Sequence, residues 1–140
     1  MSKVAVVYWS GTGNTEAMAE AVADGIREKG GEAVILTAGE FDRSMIGDYD
    51  SIAFGCPSMG DEELEESEFA PMFESCVPDL AGKKIALFGS YGWGDGEWMR
   101  KWEKTCKKAG AVFACDFVIC NDAPDADAVE KCRGLGKALV

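Results

Sequence analysis

Residues Ser10-Gly11-Thr12-Gly13-Asn14-Thr15 set two glycines among hydroxyl and amide side chains, with no lysine or arginine. Glycines let backbone N–H groups converge on an anion, and a helix starting just after them adds the positive end of its dipole. The pattern reads as a phosphate cradle. A nucleoside-triphosphate loop is excluded, because the Lys-Ser/Thr pair that reaches the outer phosphates and magnesium is missing. The dinucleotide fingerprint also fails, since Glu16 stands at its third glycine. A site of neutral donors suits a single terminal phosphate.

Two further stretches carry chemistry. Pro57-Ser58-Met59-Gly60-Asp61-Glu62 opens a run with six acids among the eight residues from Asp61 to Glu68, which alone reads as a solvated acidic loop. Ser90-Tyr91-Gly92-Trp93-Gly94 holds a large aromatic between two glycines, a poor design for a core residue and a good one for a stacking platform. Met59 offers a soft, polarizable side chain for the opposite face of the same flat ligand. Trp9, Trp98 and Trp102 read as packing residues. A phosphate cradle combined with an aromatic ledge describes a phosphorylated planar ring.

Those loops need a scaffold. A chain of 140 residues is expected to form one domain, residues 1–140, that buries roughly two-thirds of the surface its unfolded form exposes. Residues 3–9 form a short apolar run typical of a strand buried on both faces. In residues 15–29, Met18, Ala21, Val22, Gly25 and Ile26 fall on one helical stripe, ended by Gly30-Gly31. Further strands are expected at 33–37, 51–56, 84–91 and 112–120, and helices at 69–77, 97–109 and 125–139, with a weak helical pattern at 41–46. Such alternation requires right-handed crossovers, so the fold class is α/β: a doubly wound parallel sheet of five strands with helices on both faces. Ligands of such sheets collect at the carboxyl ends of the strands. The three loops follow the first, third and fourth strands, at that end.

Composition narrows the function. Six cysteines form no C-x-x-C pair and there is no histidine, which argues against a zinc site and for reduced, mostly buried thiols in a cytoplasmic protein. Residues 4–9 are too short for a signal segment, and no run approaches the roughly 18 apolar residues of a membrane span. Twenty-five Asp and Glu against fourteen Lys and Arg leave a net charge of -11, which repels nucleic acid and anionic membranes. A partner protein with a basic docking face is favoured.

The run at 10–15, "GCPSMGDEELEESEF" at 55–69 and "LFGSYGWGDGEWM" at 87–99 resemble the flavodoxins, over essentially the whole chain and most closely their short-chain class. The resemblance implies strand order 2-1-3-4-5, for which flavodoxin itself is a standard example, and noncovalently bound FMN. It assigns the phosphate to Ser10, Thr12, Asn14 and Thr15 with the amides of the loop, Gly11 and Gly13 included. By the same resemblance Trp93 is expected to stack on the ring, Met59 to lie on its other face, and the Gly60-Asp61 peptide to turn over on reduction. The resemblance likewise matches Glu62 to the residue that bonds the N3 edge and sets Gly92, in the 90–94 loop with Ser90, Tyr91 and Gly94, by the pyrimidine side. Some relatives have a serine in place of Pro57, which cannot donate, so Ser58 or the first loop alone must serve.

The implied function is a monomeric, low-potential one-electron carrier between redox proteins, cycling between semiquinone and hydroquinone. An FMN-dependent NAD(P)H reductase is the alternative, and it needs room over a ring that Trp93 and Met59 cover. A phospho-acceptor signalling domain would need acids where Trp9-Ser10-Gly11 stand. A purely structural module would bind no FMN.

Overall fold

The computed structural model describes residues 2–140. A central strand β1 (Lys3–Tyr8) pairs in parallel with β2 (Glu32–Thr37) on one side and β3 (Ser51–Gly55) on the other. β4 (Lys84–Tyr91) continues the sheet beyond β3. The last position is filled by β5 (Val112–Phe113) and β6 (Val118–Asn121), both parallel to β4. The order is therefore β2-β1-β3-β4-β5, the doubly wound arrangement that the alternation of elements requires.

The crossovers are α1 (Asn14–Glu28), α2 (Phe69–Cys76), α3 (Glu97–Lys108) and α4 (Ala126–Ala138). Successive side chains of a strand point to opposite faces. Val4 and Val6 accordingly pack in one layer with α1 and α4, while Ala5 and Val7 pack in the other with α2 and α3. Both faces are covered, which is why β1 reads as an unbroken apolar run. In the first layer α1 and α4 meet backbone to backbone: a Cβ at Gly25 would strike the Arg133 carbonyl, and one at Gly136 the Val22 carbonyl. In the second layer the Trp102 ring stands nearly perpendicular to those of Phe69 and Phe73, with centroids 5.4 and 5.5 Å away. Trp98 and Trp102 are buried packing residues, as expected from their helical positions.

Two expectations need correction. The fifth strand is interrupted: Ile85 pairs with Phe113 and Phe88 with Val118, so three steps along β4 match five along its partner. The two extra residues break the ladder and leave Ala114 and Cys115 in a bend. The 41–46 pattern is not an α-helix but part of two short 3₁₀ segments, Ala38–Glu40 and Arg43–Asp48. Asp42 divides them, because its carboxylate accepts the Ser44 N–H at 2.9 Å and restarts the chain. All six cysteines are free, and four are buried. No helix among the described residues is long and apolar enough to cross a membrane.

Candidate functional site

At the carboxyl ends of β1, β3, β4 and β6 lies a cleft of about 230 Å³. The β1–α1 loop contributes Trp9, Ser10, Gly11, Thr12, Asn14 and Thr15; the loop after β3 contributes Pro57, Ser58 and Met59. The end of β4 adds Ser90, Tyr91 and Gly92, and Asp122 follows β6. β1 and β3 are neighbours although β2 lies between them in sequence, so the cleft opens where the strand order reverses.

At one end of the cleft, α1 begins at Gly13, which offers no side chain to cap its amides. Ser10 Oγ braces the loop by accepting from the N–H groups of Gly13 (3.1 Å) and Glu16 (3.3 Å). The N–H groups of Thr12, Asn14 and Thr15 find no protein acceptor among the described residues. Thr15 is 1% exposed, and its hydroxyl oxygen is buried without a hydrogen-bond partner. An unmade bond at a buried hydroxyl costs about 1–3 kcal/mol, so the position calls for a ligand with acceptor oxygens. Among the described residues no lysine or arginine lines the cleft. Amides, hydroxyls and the helix dipole are the means of holding an anion here, and they fit a terminal phosphate.

The loop after β3 is tightly built. Met59 and Glu63 exchange backbone hydrogen bonds of 2.8 and 2.9 Å, closing Gly60, Asp61 and Glu62 into a turn with positive φ at Gly60 (53°) and Glu62 (55°). Glu62 is buried, and its Oε1 accepts from the Glu97 N–H at 3.2 Å, capping α3 from another element. A Cβ on Gly94 would fall into that carboxylate. Glu65 is buried too and accepts from the N–H groups of Ser67 (2.8 Å), Glu68 (2.8 Å) and Phe69 (2.9 Å) and from the Ser67 hydroxyl. Burial alone would push its carboxyl up, but these donors outweigh it and hold the group below the usual carboxylate range. The expectation of a merely solvated acidic loop is thus wrong for Glu62 and Glu65, which act as internal caps of α3 and α2.

The remaining candidates border the cleft rather than line it. Gly13 is the N-cap of α1; Gly60, Asp61 and Glu62 form the turn beyond Met59; Gly94, lacking a Cβ, leaves room for the Glu62 carboxylate. Trp93 stands at the loop tip with 60% of its surface exposed, and Met59 is 39% exposed. Such large apolar groups in the open at a cleft mouth signal a binding edge. Trp9 packs against the core as expected and also lines the cleft, where it covers Gly11 and donates from Nε1 to Glu68 (3.2 Å). Asp122 went unsuspected, although its place just after the fifth strand was a usable signal.

A parallel sheet whose cleft at the switch point offers amides and hydroxyls to a phosphate, beside exposed Met59 and Trp93, defines an α/β mononucleotide-binding protein. The family described as Flavodoxin matches residues 6–136. The chain is 45% identical over 134 residues to the flavodoxin of Clostridium beijerinckii, with 96% of each chain covered. It is 42% identical over 135 residues to that of Megasphaera elsdenii, again with 96% of each covered. The solution structure of the two-electron reduced Megasphaera elsdenii flavodoxin superposes with a TM-score of 0.89, covering 97% of both chains. The chain belongs to the flavodoxin family, in the short-chain class. It is an FMN-binding electron carrier rather than an enzyme, and nothing favours the NAD(P)H reductase alternative.

Proposed function

We propose that residues 1–140 act as a single, monomeric cytoplasmic unit that holds FMN in the cleft described above and serves redox partners with basic docking faces. The observation that carries the placement is the buried, unpartnered Thr15 hydroxyl at the start of α1, whose N-cap residue Gly13 has no side chain. Thr15 Oγ1 and the amides of Thr12, Asn14 and Thr15 would bond the phosphate, with Ser10 bracing the loop and Gly11 and Gly13 keeping its backbone open. Met59 and Trp93 would flank the ring. Pro57, Ser58, Gly60, Asp61 and Glu62 on one side, and Ser90, Tyr91, Gly92 and Gly94 on the other, would complete its surroundings.

FMN supplies the one-electron chemistry, and the chain's own groups adjust how readily it occurs. With a net charge of -11 and six acids between Asp61 and Glu68, the protein disfavours added negative charge at the site. That bias makes it a low-potential carrier. The same charge attracts a basic partner surface and speeds encounter at low salt.

Calorimetric titration of the apoprotein with FMN and with riboflavin tests the placement. FMN is expected to bind far more tightly, because the Thr15 cradle serves only the phosphate. Equal affinities would remove the cradle from the account.

A further inference from the structure

Asp122 is the one carboxylate among the residues that line the cleft. Its backbone is left-handed, with φ 57°, a conformation that Asp adopts more readily than most residues with a Cβ and that its surroundings hold here. Three hydrogen bonds do so. The Asp122 N–H donates to the Tyr91 carbonyl (2.8 Å), and the Asp122 carbonyl accepts from the Ser90 hydroxyl (2.6 Å) and the Cys120 thiol (3.5 Å). Ser90 is 4% exposed, and its own carbonyl accepts from the Ser58 N–H (3.0 Å). One buried serine therefore ties both the Pro57 loop and Asp122 to the end of β4. The Asp122 carboxylate itself takes no hydrogen bond from the described residues and lies beside Gly92, with Oδ1 3.7 Å from where a Cβ would stand.

Asp122 is exposed and its carboxylate is solvated, yet a fixed negative charge lining a site for an already anionic cofactor costs affinity. The phosphate is present in every oxidation state, so its repulsion from Asp122 cancels when those states are compared. Only charge gained on reduction does not cancel. We propose that Asp122 is a potential-setting residue of this site and Ser90 its positioning residue: the fixed carboxylate weakens binding of the reduced cofactor more than that of the oxidised one. This rests on the FMN placement proposed above. The effect falls on the electron taken up without a proton, since an electron accompanied by a proton adds no net charge.

The test compares wild type, Asp122→Asn, Asp122→Gly, Ser90→Ala and the control Asp127→Asn. Asn tolerates left-handed backbone and removes only the charge, while Gly also relieves the φ. Asp127 is exposed on α4 in a surface pair with Lys131, so its substitution makes the same formal charge change away from the cleft. Each protein is titrated calorimetrically with oxidised FMN, and its holo form is titrated with dithionite against a reporter dye, at low salt and at about 0.5 M NaCl.

Asp122→Asn and Asp122→Gly should bind reduced FMN about three- to tenfold more tightly relative to oxidised FMN, a rise of about 28–59 mV at a one-electron couple. Ser90→Ala should move the same way by less, and Asp127→Asn should not move. Part of the Asp122 effect should survive high salt. An unchanged ratio in both Asp122 variants overturns the proposal. So does equal weakening of oxidised and reduced FMN, which would make the carboxylate an acceptor for the cofactor's own donors. Failure of the wild type to prefer FMN over riboflavin would instead overturn the placement.

Discussion

Replacing Thr15 by valine should push the apoprotein and the holoprotein in opposite directions. The Thr15 hydroxyl is buried, 1% of the residue is exposed, and Oγ1 has no partner. In the apoprotein the variant removes a desolvated polar group that makes no bond, a gain of about 1–3 kcal/mol. At roughly 3 °C per kcal/mol for a domain of this size, the apoprotein Tm should rise by roughly 3–9 °C. With FMN, the same change deletes a hydrogen bond to a charged phosphate, about 1.5–3 kcal/mol, so the Kd should rise about 10- to 150-fold. Riboflavin lacks the phosphate, and its affinity should stay at the wild-type value. Thr15→Ser keeps the hydroxyl and should retain most of the FMN affinity. Differential scanning calorimetry of the apoprotein and isothermal titration with both flavins read out all three effects. A variant that loses apoprotein stability while binding FMN as the wild type does would refute the reasoning.

The other tryptophans separate in the same way: Trp102→Ala should cost about 3–5 kcal/mol of stability in urea melts because it opens the Phe69–Phe73 cluster. Trp93→Ala should leave stability nearly unchanged and lower oxidised FMN affinity by at least the roughly 0.5–1.5 kcal/mol of a stacked pair; the reverse ranking would move the ledge elsewhere. The Glu65 carboxyl titrates below its unfolded value, so its contribution is present above the usual carboxylate range of about 4.3 and is lost as pH falls through the depressed folded value. Glu65→Ala should remove about 1–2 kcal/mol at pH 7 and flatten the acid limb of the stability profile, and an unchanged limb would deny the cap its role. At Gly60 a Cβ meets open space, so Gly60→Ala pays only the left-handed backbone cost of about 1–2 kcal/mol. It should lower the first one-electron potential of the flavin and raise the second, with oxidised FMN affinity little changed; potentials identical to the parent would exclude a peptide turn at this residue. Association-limited electron transfer to a basic partner should slow as salt shortens the Debye length from about 30 to 8 Å, and a flat profile would remove the acidic surface from docking.

The sequence carried the chemistry of the first loop openly, because glycine spacing and hydroxyl content are local properties that need no partner to be read. The same holds for the sheet, since its apolar strands and helical stripes alternate without interruption. Long-range placement was not legible. Residues 112–120 read as one strand because a register shift of two residues leaves no mark on an apolar run; it exists only relative to β4. Asp122 gained its place in the cleft from that pairing and from Ser90. Among six neighbouring acids, composition does not reveal which fold back onto helix termini, although Glu65 stands four residues before the start of α2. Trp9 packs against the core and lines the cleft as well, and the second role is not legible because a tryptophan at a strand end looks the same whether it faces a core, a ligand or both.

The most direct test of the carrier assignment is a spectroelectrochemical titration of the FMN-loaded protein under anaerobic conditions. Two separated one-electron steps are expected, the second well below the potential of free FMN, because the acidic surroundings penalise the charge added last. A single two-electron step at the potential of free FMN would contradict the account, since a protein that leaves its flavin's potentials untouched has no mechanism for passing electrons singly.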